Sequence, residues 1–380
     1  MLLKPFKLEE YYTKYEFTTK YMLSSSDAQS WSLDQLLSMA TPQERSLWDK
    51  QWLGYTETKG LPVLRETIAK QLYPGLTADN IICFSGAQEG IFCSLLTLCT
   101  PQDHVIVLTP CYQSLLEIPT FVGCEITALE LKEEHEWRID IGAIKKALKP
   151  NTKCVVMNFP HNPTGQVILL KELTELITLL DHHGIWLFSD EVYHLLGHPK
   201  EGWAPPAACM YPKGISLGVM SKSFGMPGLR IGWIACQDKE IFQNIVQTRY
   251  YTTICNSGPS EKLSIIALRN KDIILQRNNA IVASNLALLD MFFAKYADLF
   301  SWVHPQGGCT GFVRYKGTEP VDDFCRSLAT QANTLLLPDS VYNMDSNYFR
   351  IGFGRENMPE ALAHLEQFIA YERKSARYTL

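Results

Sequence analysis

The sequence predicts an α/β fold: a doubly wound, mainly parallel sheet with helices on both faces, joined to a smaller α+β domain. Three observations carry this prediction. Apolar strand-like runs alternate with helical patterns from about residue 80 to 235, as in stacked βα units. Several runs, Cys154-Val155-Val156-Met157 among them, are apolar at nearly every position, as in strands covered on both faces. From roughly residue 270 the texture shifts to long helical patterns broken by short mixed strands. The organisation read from this is an N-terminal arm, 1–23, and a segment 24–54 grouped with the smaller domain. A large domain, 55–270, and the C-terminal part of the smaller domain, 271–380, complete it.

The 380 residues are 46% hydrophobic and 20% charged, which is ordinary globular composition with enough chain for a deep core and a cleft. The net charge is −5 and no basic run occurs, which argues against nucleic acid or an anionic membrane as partner. No apolar run approaches the ~20 residues that span a bilayer. The start, Met1 to Phe6, has no apolar signal core, so a cytoplasmic protein is expected. The eleven cysteines form no C-x-x-C pair and sit in apolar settings. They read as small buried hydrophobes in a reducing compartment. The nine histidines show no metal-ligand spacing, so no metal is expected.

In chain order, residues 1–23 carry many tyrosines without a clean period and read as an arm that packs on something. Ser24 to Asp27 is a turn or cap signal. Ser32 and Gln35 form a capping box at the start of a short helix. The loop Gly54–Gly60 precedes a helix, Leu61 to Ala69, with Pro62 in its first turn. The strand Asn80–Phe84 runs through Ser85 to Gly90 into the helix Ile91–Leu98. Strand, small residues and helix start make an anion site, although plain βα turns look the same. The strand His104–Leu108 ends at Tyr112. Ile126–Leu131 is a strand and Ile139–Leu148 a helix. The strand Cys154–Phe159 leads into Pro160 to Gly165, a rigid turn. Apolar positions from Leu169 to Leu180 mark a helix that Gly184 stops, with His182 and His183 suited to its C-terminal dipole. The strand Ile185–Ser189 ends at Asp190. Beyond the strand Ile215–Met220 lies Ser221-Lys222-Ser223. A helical pattern then runs from Ile273 to Phe300, and Gly307–Val313 turns into a strand. A helix, Val321–Ala332, a strand, Tyr348–Gly354, with Arg350 at its centre, and a helix, Pro359–Tyr371, follow.

Gly86, Tyr112, Asn162, Asp190 and Lys222 all fall at strand C-terminal ends, the edge where open α/β sheets bind ligands. A lysine there is costly unless it is partnered or uncharged. Joining an aldehyde turns its amine into an imine and removes that cost. Arg230, with nearby serine hydroxyls, suits a phosphate. Aldehyde plus phosphate describes pyridoxal 5'-phosphate (PLP). No G-x-G-x-x-G follows an early strand, which disfavours a dinucleotide.

Read together, Tyr55–Ala69, Gly86-Ala87-Gln88, Asn158–Gly165, Asp190–Tyr193, Ser221–Gly232 and Arg350 resemble the class I and II aminotransferases. These are PLP enzymes of fold type I, and the likeness spans nearly the whole chain. Met22–Ser26, Asn158–Pro163 and Ser221–Arg230 are most similar to the capreomycidine-synthase branch, which uses PLP on an arginine-derived substrate. The resemblance implies that Lys222 carries the cofactor aldehyde and, once released, shuttles a proton. It implies that Asp190 pairs with the ring nitrogen and that Asn162 and Tyr193 bond the ring oxygen. Tyr112 would stack on the ring. The backbone at Gly86, Ala87 and Gln88 would hold the phosphate, with Ser221, Ser223 and Arg230. Arg350, beside Asn162, would take the substrate carboxylate. Tyr55 resembles the tyrosine that reaches the neighbouring subunit's phosphate, which implies a homodimer.

Plainer readings stand beside these. Asp190 fits a helix cap, Tyr112 core, Tyr193 a packed aromatic, Arg350 a partner for a buried acid, and His161 a loop residue. Two departures from the family matter. Val219 stands where many relatives have a phosphate-binding serine, and Ser24–Asp27 stands where relatives often have a glycine. The presence of Tyr193 favours ordinary transamination. The resulting reading is an enzyme moving an α-amino group between an L-amino acid and a 2-oxo acid. Elimination, replacement or cyclisation on the same site, and a non-catalytic PLP-fold binding protein, are the alternatives.

Overall fold

The computed structural model describes residues 2–377. Its strands are β1 (Tyr21–Met22), β2 (Ile81–Phe84), β3 (His104–Thr109), β4 (Glu125–Glu130), β5 (Thr152–Asn158), β6 (Trp186–Asp190) and β7 (Gly214–Val219). They continue with β8 (Gly232–Cys236), β9 (Phe300–Trp302), β10 (Thr310–Tyr315), β11 (Thr334–Leu335), β12 (Leu337–Pro338) and β13 (Tyr348–Gly352). One sheet has the order β2-β8-β7-β6-β5-β3-β4. Strand β8 runs antiparallel to both its neighbours, and all the other pairings are parallel. The C-terminal ends of six strands therefore share one edge, and β8 starts there.

Residue alternation explains why both faces are covered. On β3, Val105 and Val107 enter one core while Ile106 and Leu108 enter the other. On β5, Cys154 and Val156 oppose Val155 and Met157 in the same way. The cysteines behave as the sequence suggests: all eleven are unpaired, and most are buried. No helix among the described residues is long and apolar enough to cross a membrane. A second, antiparallel sheet, β12-β13-β10-β9, packs with the helices Val321–Gln331 and Met358–Arg377. Two end signals also take the expected form. Ser32 and Gln35 make both bonds of a capping box, and Gly184 closes its helix in the left-handed conformation at φ 66.

Three expectations need correction. The helical pattern from Ile273 to Phe300 is two elements: a helix Lys271–Lys295, a turn, then β9. Phe300 keeps the helix's apolar spacing, yet it pairs with Tyr315 in the sheet and stacks among the core aromatics. The arm contains a helix, Lys7–Tyr15, whose tyrosines hid its period. Within 24–54, the helices Leu33–Ser38 and Pro42–Asp49 do not join the smaller sheet. Leu36 and Leu37 pack with Leu64, Leu263 and Ile266, and Glu44 pairs with Arg269 at 2.8 Å.

Residues 23–29 form a strap between the two sheets. On one side Gly352 N–H donates to Leu23 O and Gln29 N–H to Gly354 O. On the other, Ala28 N–H donates to Lys222 O at 3.3 Å. Three glycines leave room for the strap. A Cβ at Gly352 would collide with the Ser25 carbonyl, one at Gly354 with that of Asp27, and one at Gly225 with that of Gln29. Backbone cannot swing aside as a side chain can, so Gly352→Ala should destabilise the fold by roughly 2 kcal/mol or more. Urea unfolding of the variant against the parent protein measures this.

Candidate active site

The shared strand edge opens into a cavity of about 410 Å³. Its wall has three parts. At one end the helix Ala87–Leu98 begins after Gly86, whose φ is 94 and which offers no side-chain cap. The first-turn N–H groups of Ala87 and Gln88 therefore lack a side-chain acceptor. The Arg230 guanidinium lies against Gly86, since a Cβ there would collide with Nη2. Arg230 Nη1 reaches Ser221 Oγ at 3.5 Å and Pro227 O at 3.1 Å, and pairs with no carboxylate among the described residues. A helix N-terminus facing an unpaired guanidinium is a dianion site. Val219 lines this wall without a hydroxyl. Ser223 does not contribute: its hydroxyl donates to Val192 O at 3.2 Å, because the chain alternates direction after Lys222.

In the middle, Lys222 Nζ donates to Ser26 Oγ at 2.8 Å and sits 5.8 Å from the centre of the Tyr193 ring. Burial lowers its pKa below the ordinary lysine range, against the pull of the Asp27 carboxylate, and Arg350 lowers it further. Asp190 faces the same cavity. Burial raises its pKa to about 7, while the Val192 N–H and Lys222 pull it down. It caps no helix, because the chain enters turns after Asp190; Oδ1 accepts Val192 N–H at 3.2 Å. Asn158 ties the ends of β5 and β6 together: Nδ2 donates to Asp190 O and Oδ1 accepts Asn162 N–H, both at 2.8 Å. Tyr112 presents a ring to the cavity. It packs 5.2 Å from Phe6 and donates to Glu9 at 3.2 Å. The Tyr193 hydroxyl donates to Ser26 O at 2.9 Å, so its single proton is committed to the strap and not to a cofactor oxygen.

At the far end Arg350 is almost fully buried on β13. Nη1 donates to Asn162 Oδ1 at 3.0 Å and to Tyr342 Oη at 2.9 Å. Nη2 donates to Tyr12 Oη and Ser24 O, both at 2.6 Å, and Nε has no partner. Every acceptor is neutral, so the reading of Arg350 as partner to a buried acid fails. A buried guanidinium without counter-charge favours an incoming carboxylate. Asn162 spends its carbonyl oxygen on this group, which leaves its amide N–H groups for the cavity.

One predicted residue, Tyr55, lies elsewhere, and His161, read as a loop residue, sits in the turn after β5. Tyr55 is 88% exposed and lines no part of the cavity. His161 is buried between Thr164 and Pro110 O, each at 2.8 Å, and burial pushes its pKa down to about 4; it braces the turn. Sequence reasoning missed Tyr12, Ser26, and the pair Asp27–Arg355, whose carboxylate oxygens are 2.9 and 3.0 Å from one guanidinium nitrogen. The turn signal and the departure from the family at Ser24–Asp27 pointed to Ser26 and Asp27, and the tyrosine-rich arm to Tyr12, without giving any of them a role.

A partly buried lysine with a lowered pKa, a buried carboxyl, an aromatic ring on the wall and a helix N-terminus beside an unpaired guanidinium together fit PLP, and the fold and cavity define a PLP-dependent enzyme of the α/β type. Residues 23–365 match the family described as aminotransferase class I and II, and the chain belongs to that family. It is similar to a PLP-dependent aminotransferase structure from Streptococcus suis 89-1591, 30% identical, covering 98% of this chain and 99% of that one with a TM-score of 0.92. The PLP-dependent cyclase OrfR is 27% identical, covering 98% of both chains with a TM-score of 0.89. Capreomycidine synthase of Streptomyces vinaceus is 26% identical over 97% of this chain and 95% of its own length.

Asp190 holds its proton more tightly in the fold than in the unfolded chain, where carboxyl pKa values are about 4. Without cofactor, its ionisation destabilises the fold progressively from about pH 4 to 7. Cofactor-free Asp190→Asn should therefore exceed the parent in stability by on the order of 4 kcal/mol at pH 8, with no difference near pH 4. Chemical denaturation at both pH values gives the answer.

Proposed function

We propose that the protein transfers the α-amino group of an L-amino acid to a 2-oxo acid, as a cytoplasmic homodimer. The observation that carries this is Arg350: a buried cation with only neutral partners, in the same cavity as Lys222. It would grip the substrate α-carboxylate and so fix Cα with respect to the amine of Lys222. Bound PLP supplies an electron-withdrawing ring that acidifies the substrate Cα–H. Lys222, with its lowered pKa, would remove that proton and hold it on Nζ. Asp190 would keep a proton on the ring nitrogen, while Ala87, Gln88, Ser221 and Arg230 would anchor the phosphate. Asn162 would orient both the cofactor and Arg350, and Tyr112 would cover one ring face.

The homodimer rests on exposed apolar side chains. Trp52, Leu53 and Tyr55 stand out on one segment, and Tyr251 and Ile254 on another. The two segments adjoin through Thr56 Oγ1 and Asn256 O at 3.4 Å. Thr253 is bonded to Glu89 of the phosphate-cradle helix, so this surface is continuous with the site. A second copy seated here would bring Tyr55 toward the neighbouring cradle. The unpaired cysteines suit a reducing compartment.

A second reading, cyclisation or elimination at Cβ or Cγ, is supported by the likeness to capreomycidine synthase and to the cyclase OrfR. The products separate the two. Amino donors mixed with pyruvate or 2-oxoglutarate should yield a new amino acid; ammonia or a ring, formed without an oxo acid, would establish the second reading. Lys222→Ala should lose at least ~1,000-fold in activity, along with the cofactor's covalent retention after borohydride reduction. Arg350→Lys keeps the charge but loses the planar fork, and should raise KM for the amino donor on the order of tenfold or more. Steady-state kinetics of the variant reads that change.

A further inference from the structure

The proposed transfer requires Lys222 to leave the cofactor and work as a free amine. We propose that Ser26 receives that amine: its hydroxyl holds Lys222 Nζ in the released form and sets how readily the lysine gives up the cofactor. This inference rests on Lys222 being the cofactor-bearing residue.

Ser26 is bound from both sides of the site. Its Oγ accepts Lys222 Nζ at 2.8 Å and its carbonyl accepts the Tyr193 hydroxyl at 2.9 Å. Among the described residues it is the one hydrogen-bond partner of Nζ. The strap that carries it cannot drift. Ser24 O is bound to Arg350 at 2.6 Å, Ala28 N–H to Lys222 O at 3.3 Å, and the strap's carbonyls fill the spaces left by Gly352, Gly354 and Gly225. The serine hydroxyl therefore waits at a fixed place, in reach of the nitrogen that must move.

The chemistry gives the bond a direction. When an incoming amine takes the aldehyde carbon, a new C–N bond forms as the bond to Lys222 breaks, and the two protons lost by the incoming nitrogen end on Nζ. A free lysine amine has at least two N–H bonds, whereas a nitrogen doubly bonded to the aldehyde carbon keeps at most one. Ser26 Oγ can therefore accept from the released lysine more readily than from the bound one. The bond favours release, and by taking one N–H it also leaves the nitrogen's lone pair two of its three staggered directions.

Exchange with a small amine tests this on the cofactor-loaded protein without turnover. Methylamine is added at a fixed concentration, borohydride traps the cofactor, and mass spectrometry of the Lys222 peptide and of the released small-molecule fraction gives the ratio of methylamine adduct to Lys222 adduct. Ser26→Ala should lower that ratio about fivefold, the worth of one net hydrogen bond. Ser26→Thr, which restores a hydroxyl, should return it to within about twofold of the parent. An unchanged ratio in Ser26→Ala, or a ratio in Ser26→Thr as low as in the alanine variant, would overturn the role of the hydroxyl. Parent protein with no cofactor trapped on Lys222 would instead remove the reading on which the inference rests.

Discussion

Four cations, Lys222, Arg230, Arg350 and Arg355, line one cavity, and Asp190 is a buried acid among them. The nearby Asp27 is already engaged by Arg355. Arg350 is buried and Lys222 partly so, while Arg230 is exposed; charge on the first two is tolerable only if an anion arrives, or if the amine sheds its proton. A phosphate at Arg230, a carboxylate at Arg350 and a covalently held Lys222 would each relieve one part of the imbalance. The neutral hydrogen bonds around Arg350 hold the guanidinium in position without neutralising it. The strand order, the helix that starts at Gly86 and the strap all serve to keep Lys222, Arg230 and Arg350 within one small volume.

Much of this was legible in the sequence because parallel sheets put ligand groups at the ends of apolar runs. Gly86, Tyr112, Asn162, Asp190 and Lys222 each follow such a run, and all belong to the cavity region. Other groups were not legible, for physical reasons. Tyr12 and Ser26 act through contacts with residues some 200 to 340 positions away, and no local period encodes such a contact. Ser223 repeats the chemistry of Ser221 yet points the other way, because direction in an irregular turn depends on backbone angles that composition does not reveal. Tyr193 lies at the right place, but its proton is directed to a carbonyl that only the folded strap supplies.

Family membership follows from a match over residues 23–365, while the proteins it resembles include both an aminotransferase and a cyclase. The core of the cavity explains that breadth. The groups proposed to hold phosphate, ring and carboxylate lie on the strands and turns, whereas the arm helix and the strap line another part of the wall. Reactions that share proton removal from Cα can diverge there without disturbing the sheet.

The strap also has a consequence for biosynthesis. Its carbonyls are received by glycines 352 and 354, and its Ser24 by Arg350, so the strap is completed by a strand 326 residues further along the chain. A ribosome-bound chain that has exposed the whole large sheet still lacks this closure. The pocket can be assembled only when β13 has emerged from the exit tunnel, which makes catalytic competence a late event in the life of each polypeptide.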